Sequence, residues 1–139
     1  MAGAGDHAPV AWRRRAEGAA GRGSRCGLSA PVLDVRTYKL APGGRAEFER
    51  IFHECALPML RRFGIQVVAH GLSLDDDDRF FLIRAFPSAA RREEQLDSFY
   101  GSDEWRDNYR EDVQALIESY HVVVTELTPI RETLLSVTF

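Results

Sequence analysis

The sequence predicts an α+β domain of the ferredoxin-like type: a βαββαβ chain with a four-stranded antiparallel sheet and its helices on one face. The patterned segments come in the order strand, helix, strand, strand, helix, strand, which is the split βαβ signature. Turn signals separate them, Pro42-Gly43-Gly44 after the first strand and Asp75-Asp76-Asp77-Asp78 between the second and third. The length of 139 residues, 45% hydrophobic and 28% charged, suits one domain with a real core.

Residues 1–30 are dominated by Ala, Gly and Arg and show no apolar period, so a disordered basic extension is expected there, with the folded domain spanning 31–139. Five Arg against Asp6 and Glu17 give that extension +3, and since the whole chain carries −3 the remainder carries −6. An acidic body argues against nucleic acid as a partner, because phosphate contacts need a basic surface.

The first strand is expected over 32–40, with Leu33, Val35 and Thr37 on one face and Asp34, Arg36 and Tyr38 on the other. In the helix that follows, Phe48, Ile51, Phe52, Cys55, Met59 and Phe63 share a face. Pro58 lies inside it and predicts a kink, and Gly64 supplies the stop. "IQVVAHGLSL" and "RFFLIRAF" are strand-length apolar runs around an acidic hairpin tip. Alternation puts Gln66, Val68, His70 and Leu72 against Val67, Ala69 and Gly71 in the first run, and Phe80, Leu82, Arg84 and Phe86 against Phe81, Ile83 and Ala85 in the second. A helical region extends from Ser88 to about Tyr120, broken at Gly101-Ser102, with Trp105, Tyr109, Val113, Leu116 and Tyr120 as the stripe of its second piece. "HVVVTEL" is the β-branched last strand, and "IRETLLSVTF" suggests a further terminal strand.

One layer of helices covers one face of such a sheet, while both residue sets of its strands are largely apolar. The uncovered face is expected to meet the same face of a second copy, so that two sheets form a dimeric α/β barrel. Asp34, Arg36 and Tyr38 are then out of bulk water whichever way the first strand faces.

"LDVRTYKLAPGGRAEFERIF", "LPMLRRFG" and "SDEWRDNYR" together resemble the NIPSNAP family, a branch of the dimeric α/β-barrel proteins. The resemblance rests on an Arg-Thr-Tyr core in the first strand, a Leu-Pro segment before Gly at the end of the first helix, and a Trp and a Tyr in the second helical region. It runs in order over about residues 32–128. "RFFLIRAFPSAARRE" departs from the Trp-Tyr-type sequence often found at the third strand and its exit. The resemblance implies the fold and a homodimer, and little about chemistry, since the family's activity is largely unassigned.

Two sets of residues are candidates for a site. In the first, Arg36 and Tyr38 stand with Asp34, Arg84 and His70 on neighbouring strands. A guanidinium beside a phenol suits a carboxylate or enolate, with Tyr or His moving a proton. The structural reading of the same residues is a network satisfying buried polar groups between sheets. The second set pairs His53 and Glu49 on the first helix with Trp105 and Tyr109 opposite, around a pocket between helices and sheet. The alternative there is a surface histidine on an amphipathic helix, with ordinary core aromatics. Arg36, Tyr38 and His53 are the catalytic candidates, and His70, Arg84, Trp105 and Tyr109 the ligand-binding ones. His121, at the start of the last strand, reads more simply as structural.

Four scattered histidines and an acidic run without the alternation of a calcium loop give no metal site. No apolar run approaches the roughly 18 residues of a membrane span. Cys26 and Cys55 lack CxxC spacing, which suits a reducing cytoplasm. Two functions are therefore expected. One is a cofactor-free homodimer that binds or transforms a small apolar or aromatic molecule by monooxygenase, cyclase or isomerase chemistry, which is fold-level analogy. The other is a non-catalytic adaptor that engages a protein through its acidic helical faces. Haem binding is a third, weaker reading.

Overall fold

The strand that carries charge, Val32–Leu40 (β1), lies at the centre of the sheet. The computed structural model describes residues 30–127. All but the last residue of the expected basic extension and the whole of "IRETLLSVTF" lie outside the described residues. Three more strands, Gln66–Leu72 (β2), Arg79–Phe86 (β3) and Ile117–Glu126 (β4), complete an antiparallel sheet in the order β2-β3-β1-β4. The first helical region comprises Arg45–Ile51 (α1), a π-helical turn at Phe52–Ala56, and Leu57–Arg62 (α2). The second comprises Ala89–Tyr100 (α3), a π-helical turn at Trp105–Tyr109, and Arg110–Leu116 (α4). This is the ferredoxin-like α+β arrangement that the element order predicts.

The core lies between the sheet and the helices. Tyr38, Leu40, Phe80 and Leu82 from the sheet meet Phe48, Phe52, Met59, Leu60, Leu96, Phe99 and Trp105 from the helical regions, all buried. Ser88 caps α3 by accepting the Arg91 amide at 3.1 Å, and Gln95 donates its side-chain amide to the Gly64 carbonyl at 2.9 Å, tying α3 to the corner after α2. Arg62 forms a two-point pair with Glu104 at 3.0 and 2.7 Å, so the end of the first helical region is clamped to the middle of the second.

Three local departures from the sequence pattern have physical causes. The kink expected at Pro58 is a π-helical turn, in which the Leu57 amide reaches back to the Phe52 carbonyl. The added residue widens the turn just where a proline ring would press on the preceding carbonyls. In β2 the register shifts between Val67 and Ala69, so strict alternation fails. Residues directly opposite in an antiparallel pair share a face. Val67 opposite Arg84, His70 opposite Leu82 and Leu72 opposite Phe80 therefore face the helices, and Val68 is the exposed bulge residue. Finally, α4 ends at Leu116, short of the helix end expected near Tyr120. Pairing with β1 along its whole length captures Ile117–Tyr120 into β4, and Tyr120 sits directly opposite Tyr38. The stripe is thus helical from Trp105 to Leu116, and only its last member, Tyr120, belongs to the strand.

Candidate functional site

The period-two pattern of β1 resolves with its charged face inward. Its charged face, Asp34, Arg36 and Tyr38, points toward the helices and is buried within one subunit, with Asp34 and Arg36 both 0% exposed. The opposite face, with Val35 and Thr37, is the open one. Covering the polar residues therefore takes no second copy.

Asp34 lies at the centre of the cluster. Arg36 donates Nε to its Oδ1 at 2.7 Å and Nη2 to its Oδ2 at 3.2 Å. Arg84, directly across from Asp34 on β3, donates Nη2 to Oδ1 at 3.3 Å. Arg92 reaches down from α3 with Nε at 2.8 Å and Nη2 at 2.7 Å from Oδ2. Burial disfavours the Asp34 charge, but Arg36, Arg84 and Arg92 outweigh it and hold the carboxyl well below the usual carboxylate range. Arg36 is held above its ordinary value because Asp34 overcomes the cost of burial. Arg92 goes the other way: burial lowers it, and the neighbouring Arg36 and Arg84 add to that against the pull of Asp34. Arg36 meets both carboxylate oxygens, whereas Arg92 reaches one of them beside two other cations. Tyr38 is pushed up to about 12, by burial first and by Tyr100 and Asp34, against the opposing pull of Arg36 and Arg84. Its hydroxyl keeps its proton at neutral pH and is a donor, not a base.

Next to this cluster is a cavity of about 260 Å³ between β1, β3, β4 and the helical regions. Tyr38, Leu82 and Arg84 form its sheet side, and Phe48, Phe52, Leu60, Phe99 and Trp105 contribute from the helices. Glu118 and Ser119, both exposed, stand at its rim. Arg84 connects it to the charged cluster, donating Nη1 to the Tyr100 hydroxyl at 3.2 Å, and the Tyr100 ring meets Trp105 edge-on at 5.1 Å. Arg84 Nε and Trp105 Nε1 are buried and have no hydrogen-bond acceptor among the described residues.

Of the sequence candidates, Tyr38, Arg84 and Trp105 line this cavity, and Arg36 sits behind it as a partner of Asp34. His53 and His70 come together elsewhere, their rings 5.1 Å apart and nearly perpendicular, with Phe52 between them and the core. His53 also lies 4.0 Å from Glu49 across one helical turn. Neither histidine lines the cavity, nor does Tyr109, whose hydroxyl is pushed up by burial and by Cys55. His121 is exposed on the open face of β4. Arg92 and Tyr100 were not singled out from sequence. The signal for Arg92 was its place on the buried stripe of α3 with Leu96 and Phe99, at spacings of four and three residues.

Among the described residues, no group of three or more His, Cys, Asp or Glu side chains is arranged to hold a metal ion, and no helix is long and apolar enough to cross a membrane. The acidic hairpin tip is a solvated turn in which Asp76 accepts the Asp78 amide at 2.9 Å and pairs with Arg79.

Topology and cavity together define a ferredoxin-like α+β domain with an apolar pocket built over a buried arginine cluster. The chain belongs to the NIPSNAP family, whose sequence model matches residues 33–131. Solved structures agree. A NIPSNAP family protein from Agrobacterium tumefaciens superposes with a TM-score of 0.64 at 14% identity, over 70% of this chain and 85% of that one. A second Agrobacterium tumefaciens family protein, of unknown function, gives 0.65 at 17% identity over 70% and 88%. An uncharacterized NIPSNAP-like domain protein from Burkholderia xenovorans gives 0.64 at 15% identity over 69% and 84%. At such identities the likeness establishes the fold. No curated protein matches the chain.

Proposed function

We propose that this protein is a homodimer that binds a small apolar or aromatic molecule in the cavity between its sheet and its helices. The cavity supports the reading. At about 260 Å³ it exceeds the space of roughly 150 Å³ that admits a benzene. It falls just below the roughly 300–1,000 Å³ of drug-sized sites, so a ligand of one or two rings fits. Aromatic walls with few, convergent polar groups are the usual composition of such sites. If the bound molecule is also transformed, Tyr38 is placed to donate a proton, as a cofactor-free isomerase, cyclase or monooxygenase would need. An adaptor needs no such interior, and no described feature favours it.

The homodimer is supported by the open sheet face. There Phe81 is 36% and Val123 61% exposed, on strands that also present Val35 and Ile83. A second copy applied by a two-fold axis covers both faces at once.

Native mass spectrometry of the purified protein tests both parts. The expected spectrum shows a dimer with a retained small molecule, and replacing the cavity-lining Val113 by Phe removes the added mass while leaving the dimer. An empty protein that also takes up no aromatic probe would overturn the binding reading.

A further inference from the structure

The charged cluster behind the cavity is out of electrical balance. Arg36, Arg84 and Arg92 share the Asp34 carboxylate, and all four side chains are at most 5% exposed. Among the described residues, three cations share one carboxylate, so positive charge is in excess where solvent does not reach. Such an arrangement is costly unless something else balances it. Arg84 is the member that meets Asp34 through a single contact of 3.3 Å, where Arg36 and Arg92 each make two. It is also the member that lines the cavity, with its Nε lacking an acceptor among the described residues. Trp105, 6% exposed and lining the same cavity from the helix side, offers an indole N–H in the same condition. A buried donor without an acceptor loses its hydration for nothing. Two such donors lining one cavity, one from its sheet side and one from its helix side, beside a surplus of positive charge, describe a receptor for an anionic oxygen.

We propose that the cavity takes an arene carboxylate, its carboxylate toward Arg84 and the Trp105 N–H and its ring among Phe48, Phe52 and Phe99. The ring walls reject a bare inorganic anion, and the surplus charge disfavours a purely neutral hydrocarbon. Guanidinium and carboxylate also match geometrically, since the planar fork of arginine presents parallel donors to two oxygens. The inference rests on the cavity being a ligand site and adds the charge and chemical class of the ligand.

The full chain titrated with 2-naphthoate, 2-naphthamide, naphthalene and sulfate, by calorimetry at neutral pH and low salt, separates the possibilities. Naphthoate is expected to bind about tenfold or more tighter than the amide, the scale of one charge-assisted hydrogen bond. Arg84→Met is expected to abolish that preference while naphthalene still binds, and Trp105→Phe to weaken naphthoate several-fold. Amide and acid binding equally would overturn the carboxylate inference and leave the cavity reading intact. Sulfate binding as tightly as naphthoate would overturn it as well, since the site would then be a plain anion pocket. If none of the four binds, both readings fail.

Discussion

Replacing Asp34 by Asn preserves the shape of the side chain and removes the single negative charge that three guanidiniums share. The geometry makes the loss worse than a missing charge. Oδ2 accepts from Arg92 Nε at 2.8 Å, with Arg92 Nη2 a further 2.7 Å ion-pair contact, and from Arg36 at 3.2 Å, while Oδ1 takes Arg36 at 2.7 Å and Arg84 at 3.3 Å. Whichever way the amide is turned, its NH2 group faces at least two N–H donors. Removing one partner of a buried ion pair costs about 3–5 kcal/mol, because the other charge is stranded out of water. Since a domain of this size has a total stability of about 5–15 kcal/mol, that is a large fraction of it. With a urea dependence of about 1–3 kcal/mol per molar, the denaturation midpoint falls by about 2 M. The pH dependence has a definite sign. The folded-state pKa of Asp34 lies below its unfolded value near 3.8, so the stabilisation is fully present above that value and is lost as pH falls through the lower, folded one. The gap between wild type and Asp34→Asn is therefore full at neutral pH and narrows only in strong acid. A loss under about 1 kcal/mol at neutral pH, or a gap that does not change on acidification, would show that Asp34 is not the charge holding the cluster.

His70 has its pKa lowered by burial first, then by His53 and Arg61, with Glu49 opposing. An NMR titration should place it below the ordinary histidine value of 6.5, and His53→Ala should raise it; no change in that variant would remove the proposed coupling. Protonating His70 is disfavoured in the fold, so its contribution to stability is lost as pH falls through 6.5 toward the folded value. Phe81→Lys with Val123→Lys puts charge on the open sheet face and is expected to give a folded monomer by sedimentation, and a surviving dimer would put the interface elsewhere. Gly64 has φ of +75°, and Gly64→Ala should cost about 1–2 kcal/mol in denaturant titration for the left-handed backbone alone, because the added methyl meets Gln95 Nε2 at an ordinary 3.4 Å.

The elements that were legible in the sequence are those in which local pattern and long-range pairing agree. The run Arg79–Phe86 reads as a strand and is one, and Phe48, Ile51, Phe52 and Met59 pack on the helical face their spacing implies. Where the two signals conflict, pairing decides. Ile117–Tyr120 continues a helical stripe, yet backbone bonding to β1 claims it for the sheet. Val68 falls in an alternating run, yet the bulge removes it from the alternation. The site was partly legible for the same reason. The period of β1 put Asp34, Arg36 and Tyr38 on one face, but which layer covers that face depends on crossover handedness and helix packing. Arg92 was hidden in a run of charged residues, "ARREEQ", where only its phase relative to Leu96 and Phe99 marks it as inward. His53 and Trp105 were joined by proximity to apolar stripes, a signal that does not tell the front of a helix layer from its side.

The three arginines around Asp34 are alike in burial and unlike in what they contribute, and this separates scaffold from site. Arg36 spends Nε and Nη2 on Asp34 from two positions along the same strand, which locks the charged face of β1. Arg92 makes two short contacts from α3 and so pins the helix to the sheet. Arg84 adds a third positive charge to a carboxylate already engaged from both sides, which in an unliganded protein is repulsion as much as attraction. Replacing a buried charge with an apolar side chain of similar volume is often neutral or stabilising when the charge is not needed for balance. Arg84→Met is therefore expected to unfold at the same denaturant concentration as wild type or a higher one. Arg36→Met, which takes away the carboxylate's best-matched partner, is expected to lose about 3 kcal/mol or more. That ordering is what a binding residue predicts, since sites keep groups that the fold alone would do better without. If Arg84→Met is destabilised as much as Arg36→Met, then Arg84 is a strut of the fold like the other two and the cluster behind the cavity carries no surplus charge for a ligand to answer.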